Sequence, residues 1–218
     1  MTQKMLNRAN IGCGDTPTEG WWNFDNSLSI RLARPKLIME VLNFVRLASD
    51  KSLRLAGIAR AKGIRWANAC KRIPLPNESL DGVYSCHVLE HLDLSEAELF
   101  LSEIHRVLRP GGIIRLVLPD LRRRAEKYMA DGDADAFMES LNMREYSVRS
   151  LRATLRMLIL GDKEHIWMYD SQSLVRLLQR ARFVDAREMA PGETMIPEPA
   201  PLNLREREEE SIYVEARR

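Results

Sequence analysis

No stretch of the 218-residue sequence approaches the roughly 18 uncharged apolar residues needed to span a membrane. Its first residues lack the apolar core of a secretory signal, so neither membrane insertion nor secretion is expected. Cysteine is scarce. Cys13, Cys70 and Cys86 are odd in number and lack CxxC spacing, which argues against a disulfide framework or a zinc ribbon and suits a reducing cytoplasm. There is no low-complexity tract and no internal repeat, so disorder is not expected. An excess of one charge is also missing: the formal net charge is +2, too small to indicate nucleic acid as a partner.

What is present reads as one α/β domain over residues 1–218, with 45% hydrophobic and 29% charged residues and helical insertions near 31–62 and 121–165. Ala9 to Gly14 is the end of a strand entering a glycine turn, and Trp21 to Asp25 is a second strand closed by an acid. Leu37, Val41, Phe44, Val45 and Ala48 recur at helical spacing, predicting amphipathic helices within 35–61. That region is basic: from Arg31 to Arg65 nine Lys or Arg face only Glu40 and Asp50. A solvated helix face explains this, and so does peripheral contact with a membrane or an anionic partner.

A third strand is expected at Ile64–Asn68, and a fourth at Asp81–Cys86, where the run is largely apolar as in a strand buried on both faces. Ser95 and Glu98 read as a capping box, with Leu94 stapled to Leu99 and a buried stripe of Ala97, Leu101, Ile104 and Leu108. Pro110-Gly111-Gly112 is expected to end that helix before a fifth strand, Ile113–Leu118. The arginine-rich helical stretch from Leu121 to Leu160 suggests an inserted cap. A helix carrying Leu174, Leu177, Leu178 and Ala181 then precedes strands at Phe183–Met189 and Ser211–Ala216. Alternating strands and helices make a mostly parallel sheet, and the last two strands, joined without a helix, add an antiparallel edge.

Gly12 and Gly14 flank Cys13 at the carboxyl end of the first strand, where open α/β sheets bind ligands and a missing Cβ lets a ligand near the backbone. A tight turn explains the same pair. Asp25, eleven residues on, can accept hydrogen bonds from both hydroxyls of a ribose, or simply cap a turn.

Five ordered segments carry a resemblance: Asn10–Gly14, Gly20–Asp25, Ile73–Asp81, His87–His91 and Leu108–Gly112. Together they resemble class I S-adenosylmethionine-dependent methyltransferases, most closely the small type 11 proteins. This implies a Rossmann-like fold with a seven-stranded, mostly parallel sheet, and S-adenosylmethionine as cofactor. It further implies that the backbone at Gly12 and Gly14 holds the methionine part, Asp25 the ribose, Asn68 with Ala69 the adenine, and Ser85 with Cys86 the amino acid end. Asn10 stands where the family usually has an acid, Asn68 replaces the more usual aspartate, and the third glycine of GxGxG is missing.

The catalytic candidates are His87, Glu90, His91, Asp120 and His165, because transfer to a hydroxyl needs alignment and a base, and histidine suits that role. His87, Glu90 and His91 also spell HxxEH, but the motif follows a strand instead of lying within a long helix, which argues against a zinc peptidase. Resemblance to some quinone-pathway O-methyltransferases, which carry acidic residues and a histidine at matching positions and bind a divalent cation there, implies a cation polarising an acceptor hydroxyl, although His87 takes an acid's place. In the plainer reading Glu90 and His91 orient the loop and cap the next helix. Asp120 also reads as a turn residue, Asp170 as a helix cap, Tyr169 and Trp167 as packing, and Arg122 to Arg124 as a grip for an anionic acceptor. The expected function is O-methylation of a small-molecule or glycan acceptor, the glycan being suggested by similar proteins that accompany surface-polysaccharide synthesis. The alternative is a cofactor-binding module without catalytic activity. A nicotinamide dehydrogenase is disfavoured by the absence of GxGxxG.

Overall fold

The computed structural model describes residues 7–33, 50–143 and 164–218. Their strands are β1 (Arg8–Ile11), β2 (Trp22–Asp25), β3 (Arg65–Trp66), β4 (Leu80–Cys86), β5 (Leu108–Pro119), β6 (Val184–Glu188) and β7 (Ser211–Arg217). They form one seven-stranded sheet in the order β3-β2-β1-β4-β5-β7-β6. The first five are parallel neighbours, while β7 runs antiparallel between β5 and β6. This is the Rossmann-like arrangement with an antiparallel edge that was expected. The order reverses between β1 and β4, and the crevice at that switch point is where such sheets bind ligands.

The helices are α1 (Leu28–Ala33), α2 (Asp50–Lys62), α3 (Leu94–Val107), α4 (Leu121–Asp131), α5 (Ala134–Leu141) and α6 (Ser171–Arg180). The stripe of Leu37, Val41, Phe44, Val45 and Ala48, and most of the expected cap after residue 143, lie outside the described residues. No described helix is long and apolar enough to cross a membrane.

The sheet alternates along β5 with the period of two that a strand imposes. Ile114, Leu116 and Leu118 join the main core with α3 and α6. Ile113 and Val117 join a second cluster with Trp21, Tyr84 and Tyr213, packed against Ile196 and Leu202 from the β6–β7 connection. That connection is held by an ion pair on which the sequence was silent. Arg115 and Glu215 are opposite each other across β5 and β7, both fully buried and 2.6 Å apart. Arg115 also donates to the carbonyls of Glu193 and Leu204, and Glu215 accepts from the Thr194 hydroxyl. Pairing the two charges and satisfying most of their remaining hydrogen-bonding capacity is what makes such burial tolerable, although Arg115 Nε takes no partner among the described residues.

Two boundaries differ from expectation. The cap of α3 is Asp93, not Ser95: its carboxylate accepts from the Glu96 amide in a capping box, and the Ser95 hydroxyl donates to Asp93 instead. An anion at that position also gains from the helix dipole. The helix ends at Val107, and Leu108 already pairs with Leu80 as the first residue of β5. Pro110-Gly111-Gly112 therefore lies within the strand. There Gly111 and Gly112 exchange backbone hydrogen bonds with Arg218, so tertiary pairing overrides the breaker signal.

Candidate functional site

The connection from β1 to β2 is too short for a helix and is tied by side chains instead. Asn10, 2% exposed, donates its amide to the Thr18 hydroxyl at 3.0 Å and to the Thr16 carbonyl at 3.3 Å. A carboxylate cannot donate, which accounts for asparagine where an acid is usual. Asn23 completes the tie, accepting from the Thr18 amide and donating to the carbonyls of Thr18 and Trp21. The sequence marks Asn10 as a departure from the family pattern but gives Asn23 no role, although an amide at a strand position was the available signal.

The two glycines serve different needs. Both are left-handed, with φ of +76° at Gly12 and +52° at Gly14. A Cβ at Gly12 would stand 2.2 Å from Cγ2 of Val88, so on that side the missing side chain lets two loops meet. At Gly14 no atom of the described residues lies within 4 Å of where a Cβ would stand.

Asp25, 3% exposed, ends β2 with its carboxylate engaged. Oδ2 accepts the Gly14 amide at 3.0 Å, and Oδ1 accepts both the amide and the hydroxyl of Ser27. A carboxylate has about four lone-pair sites, so one remains on Oδ2. Beyond β3, the Asn68 side chain accepts the Cys70 amide at 2.9 Å, and Ala69 is buried beside it.

At the end of β4, Ser85 is buried and its hydroxyl has no hydrogen-bond partner among the described residues. Burial pushes the Cys86 thiol up to about 12, so it is not a thiolate nucleophile at neutral pH. His87 follows with φ of +51°, a conformation that non-glycine residues adopt at a cost of order 1 kcal/mol. Gly12, Gly14, Cys86 and His87 border one cavity of about 530 Å³, closed on its far side by Glu206 and Arg207 of the β6–β7 connection. Asp25, Asn68, Ala69 and Ser85 do not border it. No motif pointed to Glu206 or Arg207, since only the antiparallel return of β7 brings that loop across the sheet edge.

His87 and Glu90 are neighbours, with Nδ1 3.1 Å from Oε1, and the other ring nitrogen lies 3.3 Å from the Ser211 hydroxyl. Glu90 is 1% exposed within a 3₁₀ turn, Leu89–His91. His91 and His165 stand together, their ring centroids 5.3 Å apart. Three of the other four catalytic candidates, His87, His91 and His165, thus gather around Glu90. The fifth, Asp120, caps α4 by accepting the Arg122 amide and pairs with Arg123, and burial raises its pKa above the ordinary carboxylate value. Asp170 caps α6 in a capping box, Tyr169 is buried, and Trp167 is half exposed. Asp93, and neither Glu90 nor His91, caps the helix that follows the motif.

The arginines are largely spoken for. Arg122, Arg123 and Arg124 lie within ion-pair range of Asp170, Asp120 and Glu210, respectively. In the basic segment, Arg31 stacks on Trp66, Arg65 on Trp22, and Arg54 pairs with Asp15.

Residues 41–116 match the model of a family described as a methyltransferase domain. No curated protein matches the chain. Among solved structures, an S-adenosylmethionine-dependent methyltransferase from Methanosarcina mazei is 18% identical, with a TM-score of 0.52 over 99% of this chain and 93% of its own. One from Mesorhizobium loti is 19% identical, with a TM-score of 0.48 over 98% and 91%. A possible histamine N-methyltransferase from Thermotoga maritima is 15% identical, with a TM-score of 0.49 over 99% and 83%. The matched segment is that of a methyltransferase domain, and the fold is that of the Methanosarcina mazei protein.

Proposed function

We propose that this methyltransferase works on oxygen, passing the methyl group of S-adenosylmethionine to a hydroxyl of a small-molecule or glycan acceptor in the cytoplasm, within polysaccharide biosynthesis. The observation that carries this reading is His87: it borders the cavity at the end of β4, and its Nδ1 lies 3.1 Å from the buried carboxylate of Glu90. A carboxylate there stabilises the imidazolium formed when the ring takes a proton, which is how a histidine base is supported in other transfer sites.

The residues present fit the cofactor. Among the described residues, Gly14 has open space beside its backbone, Asp25 retains one lone-pair site for a ribose hydroxyl, and Ser85 offers a buried hydroxyl without a partner. Gly12, Gly14, Asp25, Asn68, Ala69, Ser85 and Cys86 would hold it, Gly12 by keeping the loop in place against Val88. When bound, the cofactor supplies an electrophilic methyl group on a sulfonium. The chain contributes the alignment of an acceptor in the cavity and removal of its proton at His87.

The test is transfer of labelled methyl to a panel of hydroxylated acceptors, with cofactor affinity measured by calorimetry. His87→Gln should lower turnover by about 10²–10⁴-fold while cofactor affinity changes little. Methyl groups found on amines, or turnover unchanged in the variant, would overturn the assignment. Binding without turnover across the panel favours the non-catalytic module.

A further inference from the structure

We propose that Glu90, His91 and His165 form a binding site for one divalent transition-metal ion of the zinc type. Each offers one ligand atom, and these atoms all lie within 4.8 Å of one another. An ion with bonds of about 2.0–2.2 Å draws nitrogen and oxygen ligands somewhat closer than that, so closure asks for only small side-chain movements.

Two independent features point to a cation. Glu90 is 1% exposed, and although His87 Nδ1 lies 3.1 Å from Oε1, neither carboxylate oxygen takes a well-formed hydrogen bond from a described residue. A buried carboxylate with only neutral imidazoles beside it is costly unless a positive charge meets it. The two imidazoles are also oriented by main-chain carbonyls: His91 Nδ1 lies 3.0 Å from the Glu164 oxygen, and His165 Nδ1 lies 2.7 Å from the Leu141 oxygen. A carbonyl only accepts, so each ring donates from Nδ1, and in the neutral ring Nε2 carries the lone pair. Fixing the tautomer of a metal-bound histidine through its other nitrogen is the usual support of such sites.

The backbone sets these positions before any ion arrives. The Ile166 and Trp167 amides donate to the Glu90 carbonyl at 2.7 and 3.1 Å, and the His165 amide donates to the Asn142 carbonyl at 2.9 Å. An ion would therefore cross-link the turn after β4, the end of α5 and the segment before α6 through three protein ligands. His87 stands outside the ligand set, between Glu90 and the cavity, so the site does not depend on which acceptor the protein uses. The alternative occupant is a proton, which would make one imidazole cationic beside Glu90.

The experiment uses the full-length chain without an affinity tag, stripped with chelator, exposed to Zn²⁺ and desalted. Elemental analysis should find one zinc per chain in the wild type, with loss in Glu90→Gln and His165→Gln whose circular dichroism confirms folding. Cobalt substitution of the wild type provides a second measurement, which should show the intense visible bands of a four-coordinate nitrogen and oxygen site without a thiolate charge-transfer band. Wild-type protein that retains no more zinc than the variants, a hexa-aquo cobalt spectrum, or thiolate bands from Cys86 would overturn the assignment. Neither measurement involves cofactor or acceptor, so its failure is distinct from failure of the proposed methyl transfer.

Discussion

Replacing Gly12 by alanine combines two costs that the structure separates. The residue is left-handed at φ +76°, and its new Cβ would fall 2.2 Å from Cγ2 of Val88. The backbone cost for a non-glycine residue is about 1–2 kcal/mol, and forcing a methyl into an occupied space adds about 1–3 kcal/mol. Gly12→Ala should therefore lose about 2–5 kcal/mol of unfolding free energy in urea titration. Gly14→Ala serves as control: φ is +52° and no described residue lies within 4 Å, so only the backbone cost applies, about 1 kcal/mol. Val88→Ala removes the colliding methyl groups. In a double-mutant cycle, Gly12→Ala with Val88→Ala should be less destabilised than the sum of the single variants by about 1–3 kcal/mol. Additivity within error, or a Gly12→Ala variant as stable as Gly14→Ala, would refute the claim that Gly12 serves loop contact.

Three further outcomes follow from the same geometry. Asn10→Asp should lose at least about 2 kcal/mol in thermal or urea unfolding, because the Thr16 carbonyl then faces a buried carboxylate without a donor. Arg115→Met should cost about 3–5 kcal/mol by leaving Glu215 charged and buried without its partner, and should expose the β6–β7 connection to proteolysis. The Asp170 carboxyl is held below its ordinary range, first by the Ser173 amide. Its folded-state pKa is depressed, so the stability it adds is fully present above the unfolded value of about 3.9 and is lost as pH falls through the folded one. Asp170→Ala should cost about 1 kcal/mol at neutral pH. The gap from wild type should close in acid, as denaturation at a series of pH values would show.

The local elements were largely legible because their signals are short-range. Asp81 to Cys86 reads as a buried strand from apolar content alone, and the leucines of α6 mark its buried face from spacing alone. Misreadings occurred where two local signals competed. Asp93 and Ser95 both make good caps, and the carboxylate prevailed with the Glu96 capping box. Proline and two glycines spell a break at 110–112, yet the backbone of Arg218, far along the chain, pairs there and extends β5. The candidate site was half legible: the ordered motifs placed Gly12, Gly14, Cys86 and His87 at one sheet edge, while Glu206 and Arg207 opposite them carry no motif.

The sequence by itself determined the alternation of strands and helices, the glycine turn after β1, and the gathering of His87, Glu90 and His91 in one turn, because each is a matter of neighbours within a few residues. Only the tertiary structure decided that Val88 fills the space beside Gly12, that Arg115 meets Glu215, and that His165 reaches Glu90 and His91. Those contacts join segments tens of residues apart, and their existence depends on strand order and register, which no local pattern encodes.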